Sequence, residues 1–258
     1  MKYLTLGSCL KQEDPYMMDF VKYHRAVGVE KFVFLDREFN SLNTLLGNEP
    51  DVEIIHFPDI PANIHAEGWA KLITHCRFDT KWLALIDADQ VLVPVQTDDV
   101  RDVLKNYEEF AALQCNWQTF GSSHRIEKGE GSLYERFLLR ARDEAGINNH
   151  TQFICQPSRT LPIRTHDPHH PRLPDHEVSV NTNKQPVNGP FNIPPLHDVL
   201  WIAHYISKSK EEWAIKNAKG RADIFGQKMP FDLFDQHDAF CNEVKEERVL
   251  ELWNKVTK

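Results

Sequence analysis

The chain has no uninterrupted apolar run near the ~18 residues that a membrane-spanning helix requires. Cysteine is also scarce, since the 258 residues contain only five and no two of them form a Cys-x-x-Cys pair. An odd number of widely spaced cysteines argues against a disulfide framework and favours free thiols in a reducing compartment. The apolar stretch at the amino terminus is too short and too polar for a signal peptide. These absences predict a cytoplasmic protein without a transmembrane segment.

A surplus of basic residues is missing as well. The chain has 30 Lys and Arg against 38 Asp and Glu, which gives a net charge of −8. Because non-specific binding to nucleic acid depends mainly on basic patches, a nucleic-acid partner is not expected. With 41% hydrophobic and 26% charged residues, the composition is that of an ordinary globular protein. A single α/β domain of this length is common.

What the chain does have is an apolar run that stops at two acids. The run 82–86 is followed by Asp87 and Asp89. A continuous apolar run is typical of a strand buried on both faces, and open α/β sheets bind ligands at the carboxyl ends of such strands. Two carboxylates at this spacing repel each other unless a hard cation such as Mg²⁺ or Mn²⁺ lies between them. The motif therefore predicts a divalent-cation site, with a solvated acidic turn as the alternative.

Strands and helices alternate through the first half of the chain. Strands are predicted at 2–8, 31–35, 52–57 and 82–87, helices between them at 15–27, 41–46 and 62–77, and then a helix at 98–107 and a strand at 110–115. This order predicts an α/β fold with a Rossmann-like, mainly parallel sheet and helices on both faces. Right-handed crossovers would bring Ser8, Asp36 and Asp87 to one edge of the sheet.

The second half is less regular. Residues 116–131 are typical of a mobile loop, and residues 160–195, rich in Pro and His, of a long irregular segment. Between and after them the pattern predicts helices at 132–141, 209–220 and 242–255 and strands at 151–157 and 201–205. The residues Ser209-Lys210-Glu211-Glu212 are typical of a capping box at a helix start.

Four blocks of sequence stand in a fixed order along the chain. They are residues 9–16 with 23–29 and Asp36; residues 82–94; residues 117–123 with 134–137; and residues 204–213 with 216 and 220–221. In this order they resemble the blocks of glycosyltransferase family 92 and the related family 2-like group, which have the GT-A fold. Gln12, Gln90 and His124 depart from the pattern, which has Asn, Glu and Gly at the corresponding positions.

The resemblance implies a metal-dependent, inverting glycosyltransferase. Such an enzyme moves a sugar from a nucleotide sugar, here expected to be a UDP-sugar, to a glycan or glycolipid acceptor. The implied cofactor is Mn²⁺ or Mg²⁺, bound by Asp87, Asp89 and His204, where it would neutralise charge on the departing diphosphate. Donor contacts are expected from side chains of three separate blocks, namely Glu13, Asp36, Asp87, Lys208 and Arg221.

The resemblance also divides one domain, 1–258, into a nucleotide-sugar-binding half, 1–115, and an acceptor-side half, 116–258. The expected acceptor contacts come from the second half and are Trp117, Ser122, His124 and His166. Inverting transfer needs a base for the acceptor hydroxyl; Glu135 is the first candidate for it and Asp238 the second. Peripheral contact with a membrane is compatible with a glycolipid acceptor.

Other interpretations of the same residues stay open at this point. A phosphohydrolase would use Asp87 as nucleophile and Asp89 as acid and base, although in such enzymes the motif usually follows the first strand rather than about the fourth. A glycan-binding module of the same fold, without turnover, is a second alternative, to which the altered Gln90 and His124 point. Residue by residue, Asp36 is equally typical of a helix cap and His204 of a hydrogen-bonded core histidine.

Overall fold

The computed structural model describes residues 1–37, 40–58, 64–163, 169–220, 228–230 and 232–256. Within these ranges the chain forms three short 3₁₀ helices, Lys105–Tyr107, Gly146–Asn149 and Pro157–Arg159. In chain order the regular elements are β1 Lys2–Leu10, α1 Asp14–Ala26, β2 Lys31–Asp36, α2 Asn40–Leu46, β3 Val52–His56, α3 Ile64–His75, β4 Thr80–Leu85, β5 Gln90–Pro94, α4 Val100–Leu104, β6 Ala112–Thr119, α5 Leu133–Arg136, β7 Leu139–Arg140, β8 Thr151–Cys155, β9 Ser179–Val180, β10 Leu200–His204, α6 Lys210–Lys219, α7 Leu233–Asp238, β11 Val244–Lys245 and α8 Arg248–Asn254.

One large sheet dominates the described part of the chain. Its strand order is β3-β2-β1-β4-β8-β6-β10-β5, with β9 beside β6. Strands β3, β2, β1 and β4 are mutually parallel, and β6 is parallel to both β10 and β9. Among the described strands of this sheet, only β8 and β5 run antiparallel to their neighbours. The predicted α/β class with a mainly parallel sheet is confirmed.

Helices cover both faces of this sheet because successive residues of its strands enter two different cores. Leu4 and Leu6 of β1 and Trp82 of β4 lie in one core, together with residues of α1, α2 and α8. Leu83 and Leu85, the alternate residues of β4, pack against α3 on the other face. Side chains of a strand point alternately to opposite faces, so an almost wholly apolar strand requires a cover on each side. The predicted helices on both faces are confirmed.

The carboxyl ends of the parallel strands lie along one edge of the sheet. In the β1–β2 register Leu10 lies opposite Asp36, and in the β1–β4 register Gly7 lies opposite Leu85. Asp87 follows β4 directly at this edge, and Ser8 belongs to the same end of β1. The prediction that Ser8, Asp36 and Asp87 reach one edge is confirmed. The chain then turns through Asp89 into β5, which pairs with β10 rather than with β4.

The predicted strand end at residue 115 is wrong, because β6 continues to Thr119 and is buried throughout. Its polar side chains made the segment resemble a loop. Those side chains are hydrogen-bonded inside the protein: the Gln114 amide donates to Thr151, the Asn116 amide to backbone carbonyls, and the Gln118 amide to Asp143. A buried polar side chain is compatible with a central strand once its hydrogen bonds are satisfied.

The helices predicted at 132–141 and 242–255 are both too long. The first ends at Arg136, and residues Leu139–Arg140 form β7 instead. The second begins only at Arg248, because Val244–Lys245 form β11, which pairs antiparallel with β7. This pairing satisfies backbone groups of both segments, which amphipathic periodicity alone could not indicate.

All five cysteines have free thiols, and Cys76, Cys115, Cys155 and Cys241 are buried. In the described ranges, no helix combines the length and the apolar character that crossing a bilayer demands.

His24 connects α1 to the strand that follows the acidic turn. Its Nδ1 is 2.8 Å from the carbonyl oxygen of Phe20, and its Nε2 accepts a hydrogen bond from the backbone N–H of Leu92 at 3.3 Å. These contacts need a neutral ring with the proton on Nδ1. Burial favours the same form, because it lowers the pKa of His24 to about 3.

We expect His24 to make the stability of the protein depend on pH between about 6.5 and about 3. In this window the unfolded chain binds a proton at His24 and the folded chain does not, so the free energy of unfolding falls as the pH falls. Between pH ~7 and ~5 the loss from this one group is about 2 kcal/mol. His24→Gln, which donates and accepts without titrating, should be less stable than wild type at neutral pH. The free energies of unfolding of the two proteins, measured with urea at each pH, should become more similar toward pH ~5. A difference between them that stays constant with pH would contradict the prediction.

Candidate active site

A cavity of about 300 Å³ opens at the edge where β1 and β4 end. Its walls come from the ends of β1, β4, β6 and β10, from the start of α3 and from the last turns of α6. Among the residues predicted from sequence, five line it: Glu13, Asp87, Asp89, Trp117 and His204. The fold thus brings the acids that follow β4 together with a histidine from the distant strand β10.

Asp89 is held between β10 and α6. Its Oδ1 lies 3.7 Å from Nε2 of His204, and its Oδ2 accepts a hydrogen bond from Nζ of Lys216 at 2.6 Å. Its backbone carbonyl accepts a hydrogen bond from the N–H of Tyr205 at 2.8 Å, which fixes the turn against β10. Burial alone would raise the pKa of Asp89, but the charge of Lys216 outweighs it, so the pKa lies well below its usual range. Asp89 is therefore ionised at neutral pH.

His204 presents a neutral imidazole to this carboxylate. The ring is buried, and burial lowers its pKa to about 4. It packs edge-on against Trp117, with ring centroids 4.4 Å apart. Within the ranges that the structure describes, its Nδ1 has no hydrogen-bond partner. Neutral imidazole is the form in which histidine binds metals.

Asp87 is paired with a residue that the sequence did not single out. Nε2 of His65, in the first turn of α3, is 3.0 Å from its Oδ1. The backbone N–H of Asp87 donates to Oε1 of Gln90 at 3.1 Å. Gln90, one of the departures from the family pattern, therefore closes the acidic turn. Burial raises the pKa of Asp87, but the interaction with His65 is stronger and the pKa lies below its usual range.

These residues fit a divalent cation by their chemistry. Ionised carboxylates and a neutral imidazole are ligands for Mn²⁺ and related ions, and Asp89 and His204 are near enough to share one ion. However, no group of three or more His, Cys, Asp or Glu side chains is already gathered as a metal site in the described part of the chain. Asp87 is paired with His65, and Asp89 with Lys216. Binding of an ion must therefore rearrange these pairs.

Helix α6 brings Lys216 to the cavity from a firmly anchored start. The predicted capping box is confirmed, since the side chains of Ser209 and Glu212 each bond the backbone N–H of the other residue. Glu212 also forms two hydrogen bonds of 2.9 Å with Arg136 and accepts one of 2.8 Å from the hydroxyl of Tyr16. Lys216 lies four residues after Glu212 and so on the same face of the helix. That spacing was readable in the sequence, but a charged helix residue is usually solvated.

The other predicted donor residues are placed less directly. Asp36 is buried at the end of β2 and is not among the described residues that line the cavity. Lys208 is buried with its ammonium 4.2 Å from the ring centre of Tyr16, and burial lowers its pKa. Glu13 lies 3.7 Å from Nζ of Lys219, another cavity residue. Arg221 lies outside the described residues.

The candidate bases Glu135 and Asp238 and the candidate acceptor residues Ser122 and His124 are not among the described residues that line the cavity. Glu135 is exposed, and its carboxylate accepts a hydrogen bond from the N–H of Ser132 as part of a second capping box. The carboxylate of Asp238 accepts a hydrogen bond of 2.8 Å from the N–H of Ser122. His124 is exposed, with a positive φ of 61°. The roles of these residues stay predictions, and His166 lies outside the described residues.

His169 lines the cavity, whereas the histidine of this segment that is predicted to contact the acceptor is His166. Its Nδ1 is 2.8 Å from Oε1 of Gln152, whose amide nitrogen in turn donates to the carbonyl of Leu85 at 2.6 Å. The rings of Trp69 and Trp117 contact the imidazole edge-on, with centroids at 5.9 and 5.3 Å. Packing and hydrogen bonding together fix the orientation of this ring.

Comparison with known proteins gives one family. Residues 8–189 match glycosyltransferase family 92. Among solved structures, the manganese complex of Rv0371c from Mycobacterium tuberculosis H37Rv is similar at 10% identity and a TM-score of 0.35, over 45% of this chain and 65% of that one. A 4-diphosphocytidyl-2C-methyl-D-erythritol synthase from Anaerococcus prevotii DSM 20548 is similar at 6% identity and a TM-score of 0.30, over 50% and 60%. The chain therefore spans less than two thirds of either solved chain. No curated protein matches it.

Proposed function

Because the chain belongs to glycosyltransferase family 92 and is thus a glycosyltransferase, we propose that it transfers a sugar with inversion from a UDP-sugar to a glycan or glycolipid hydroxyl, using Mn²⁺ or Mg²⁺. The observation that carries the proposal is the convergence of Asp87, Asp89 and His204 on one cavity at the carboxyl edge of the sheet. Membership of the family favours sugar transfer over the phosphohydrolase interpretation of the acidic motif.

The proposed donor site uses charges of both signs. When bound by Asp87, Asp89 and His204, a divalent cation would act as a Lewis acid toward the departing diphosphate. Lys216 and Lys219 of α6 line the same cavity, and in this proposal their positive charges would stabilise the negative charge that develops on the leaving group. We assign the nucleoside to the end of the cavity near Glu13, next to β1, with Asp36 and Lys208 as further donor residues and Arg221 retained from the sequence.

The proposed acceptor side lies toward β6, where Trp117 offers an apolar wall. Inversion needs a base for the attacking hydroxyl, and Glu135 and Asp238 remain predictions for it. His169 is a further candidate. The amide nitrogen of Gln152 donates to the carbonyl of Leu85, so the amide oxygen of Gln152 is the atom that faces Nδ1 of His169. Because that oxygen can only accept a hydrogen bond, Nδ1 of His169 must carry the proton. In a neutral ring the basic nitrogen is then Nε2.

We expect UDP and Mn²⁺ together to raise the melting temperature of the protein. A ligand at about 100 times its Kd stabilises the folded state by about 2.7 kcal/mol, which for a chain of this size corresponds to roughly 5–10 °C. Thermal unfolding followed by fluorescence, with CDP and UMP as matched ligands, measures the shift and its base and phosphate dependence. If millimolar UDP with Mn²⁺ left the melting temperature unchanged, the proposed donor site would be refuted.

A further inference from the structure

Lys216 is bound to Asp89, the carboxylate that the proposed cation needs as a ligand. Its Nζ donates to Oδ2 of Asp89 at 2.6 Å and to the carbonyl of Ile206 at 3.3 Å. The Lys216 side chain is 25% exposed, whereas that of Asp89 is only 10% exposed. Both side chains line the cavity, so an ion that reaches Asp89 from the cavity meets the ammonium already bound to its Oδ2.

The position of this ammonium is set by the anchored helix and not by a chance surface contact. Glu212, one turn before Lys216, is tied to Arg136 in a pair whose side chains are 3% and 1% exposed. The helix start therefore cannot shift without breaking a buried ion pair. The Lys216 side chain, by contrast, has four rotatable methylene links and reaches an open cavity. The lysine tip can leave Asp89 while its helix stays in place.

We propose that Lys216 is a resident counter-ion of Asp89 that the metal ion and the donor displace together. A divalent cation bound at Asp89 would be close to the ammonium of Lys216, and two positive charges in contact with the same partly buried carboxylate repel each other strongly. The diphosphate of the nucleotide relieves this repulsion, because its oxygens accept the ammonium released from Asp89. This inference rests on the proposed donor site and adds a coupling to it. The ion alone binds weakly, and the ion and the nucleotide each raise the affinity of the protein for the other.

Isothermal titration of Mn²⁺ alone, and of Mn²⁺ in saturating UDP, tests the proposal on three variants. Lys216→Met removes the charge and keeps the length of the side chain, Lys216→Arg keeps the charge, and Lys219→Met removes a neighbouring charge from the same cavity. We expect Lys216→Met to bind Mn²⁺ alone at least about tenfold more tightly than wild type, and to lose at least about tenfold of the coupling between Mn²⁺ and UDP. Lys216→Arg should resemble wild type, and Lys219→Met should change the affinity for Mn²⁺ alone by less than about threefold.

Each result decides for or against the counter-ion. If Lys216→Met bound Mn²⁺ alone no more tightly than wild type, or only as tightly as Lys219→Met, Lys216 would not compete with the ion. In that case Mn²⁺-dependent binding of UDP to wild type would still leave the proposed function intact. If no variant bound UDP with or without Mn²⁺, the donor site itself would be wrong and the counter-ion with it. Circular dichroism of each variant confirms that it is folded.

Discussion

Asp89→Asn is expected to reduce sugar transfer by at least about 10²–10³-fold, because it removes one charged ligand of the proposed cation and with it the stabilisation of the leaving group. The amide has nearly the same shape as the carboxylate, so the hydrogen bond from Tyr205 to the backbone of residue 89 remains possible. Release of UDP from a panel of UDP-sugars measures the loss of turnover. The stabilisation by UDP with Mn²⁺ should disappear in the same variant.

Asp79→Asn is the matched control. Asp79 precedes the opposite end of β4, is half exposed and pairs with Lys31 at 2.9 Å. A surface pair of this kind contributes about 0–1 kcal/mol to stability, and its loss should leave turnover unchanged. Retention of more than about a tenth of the wild-type rate by Asp89→Asn would contradict a direct role for this carboxylate.

Glu212→Leu is expected to have the largest effect on stability, lowering the free energy of unfolding by about 3–5 kcal/mol. It leaves the guanidinium of Arg136 buried without its carboxylate and removes the capping box at the start of α6. Urea unfolding measures the change. Since α6 carries Lys216, the coupling between Mn²⁺ and UDP should weaken in the same variant even where the protein is still folded.

Two further variants separate the ion pair from the rest of this cluster. Tyr16→Phe removes only the hydrogen bond from the tyrosine hydroxyl to Glu212 and should cost about 1 kcal/mol. The double variant Arg136→Leu with Glu212→Leu should recover part of the stability lost in Glu212→Leu, because no buried charge is left unpaired. If Glu212→Leu cost no more than Tyr16→Phe, the buried pair would not anchor the helix.

The parts of the fold that the sequence predicts are those in which one local signal dominates. Strands β1 to β4 are apolar and short, the helices between them are amphipathic, and Ser209 with Glu212 forms a recognisable helix start. Strand β6 extends beyond its predicted end at residue 115, because the amides of Gln114 and Asn116 are buried against partners far along the chain that the local sequence does not reveal. The pairing of β7 with β11 is equally non-local, so two helices were extended into it.

The candidate site divides in the same way. Asp87, Asp89 and His204 stand in distinctive motifs, and they do line one cavity. His65 and His169 stand outside the four blocks, and Lys216 belongs to the fourth block without any sign that it contacts Asp89, because these contacts depend on how α3, the segment before β9 and α6 pack on the sheet edge. Glu135 was nominated from its position after the acceptor loop, whereas the structure gives its carboxylate a capping bond at the start of α5. Sequence therefore identified the acids but not the charges that neutralise them.

The pairing of β5 with β10, in which His204 lies opposite Gln90, has a consequence for biosynthesis. The ribosome produces Asp89 early and its partners His204 and Lys216 much later, so this carboxylate emerges before the side chains that contact it in the folded protein. Strand β8 lies between β4 and β6 in the sheet. The amino-terminal portion therefore cannot complete the sheet before β8 has been synthesised, and the later strands cannot complete it without β4. The protein should then be able to bind the ion only after β10 and α6 have left the ribosome. Fragments expressed separately would have to associate before they could bind it.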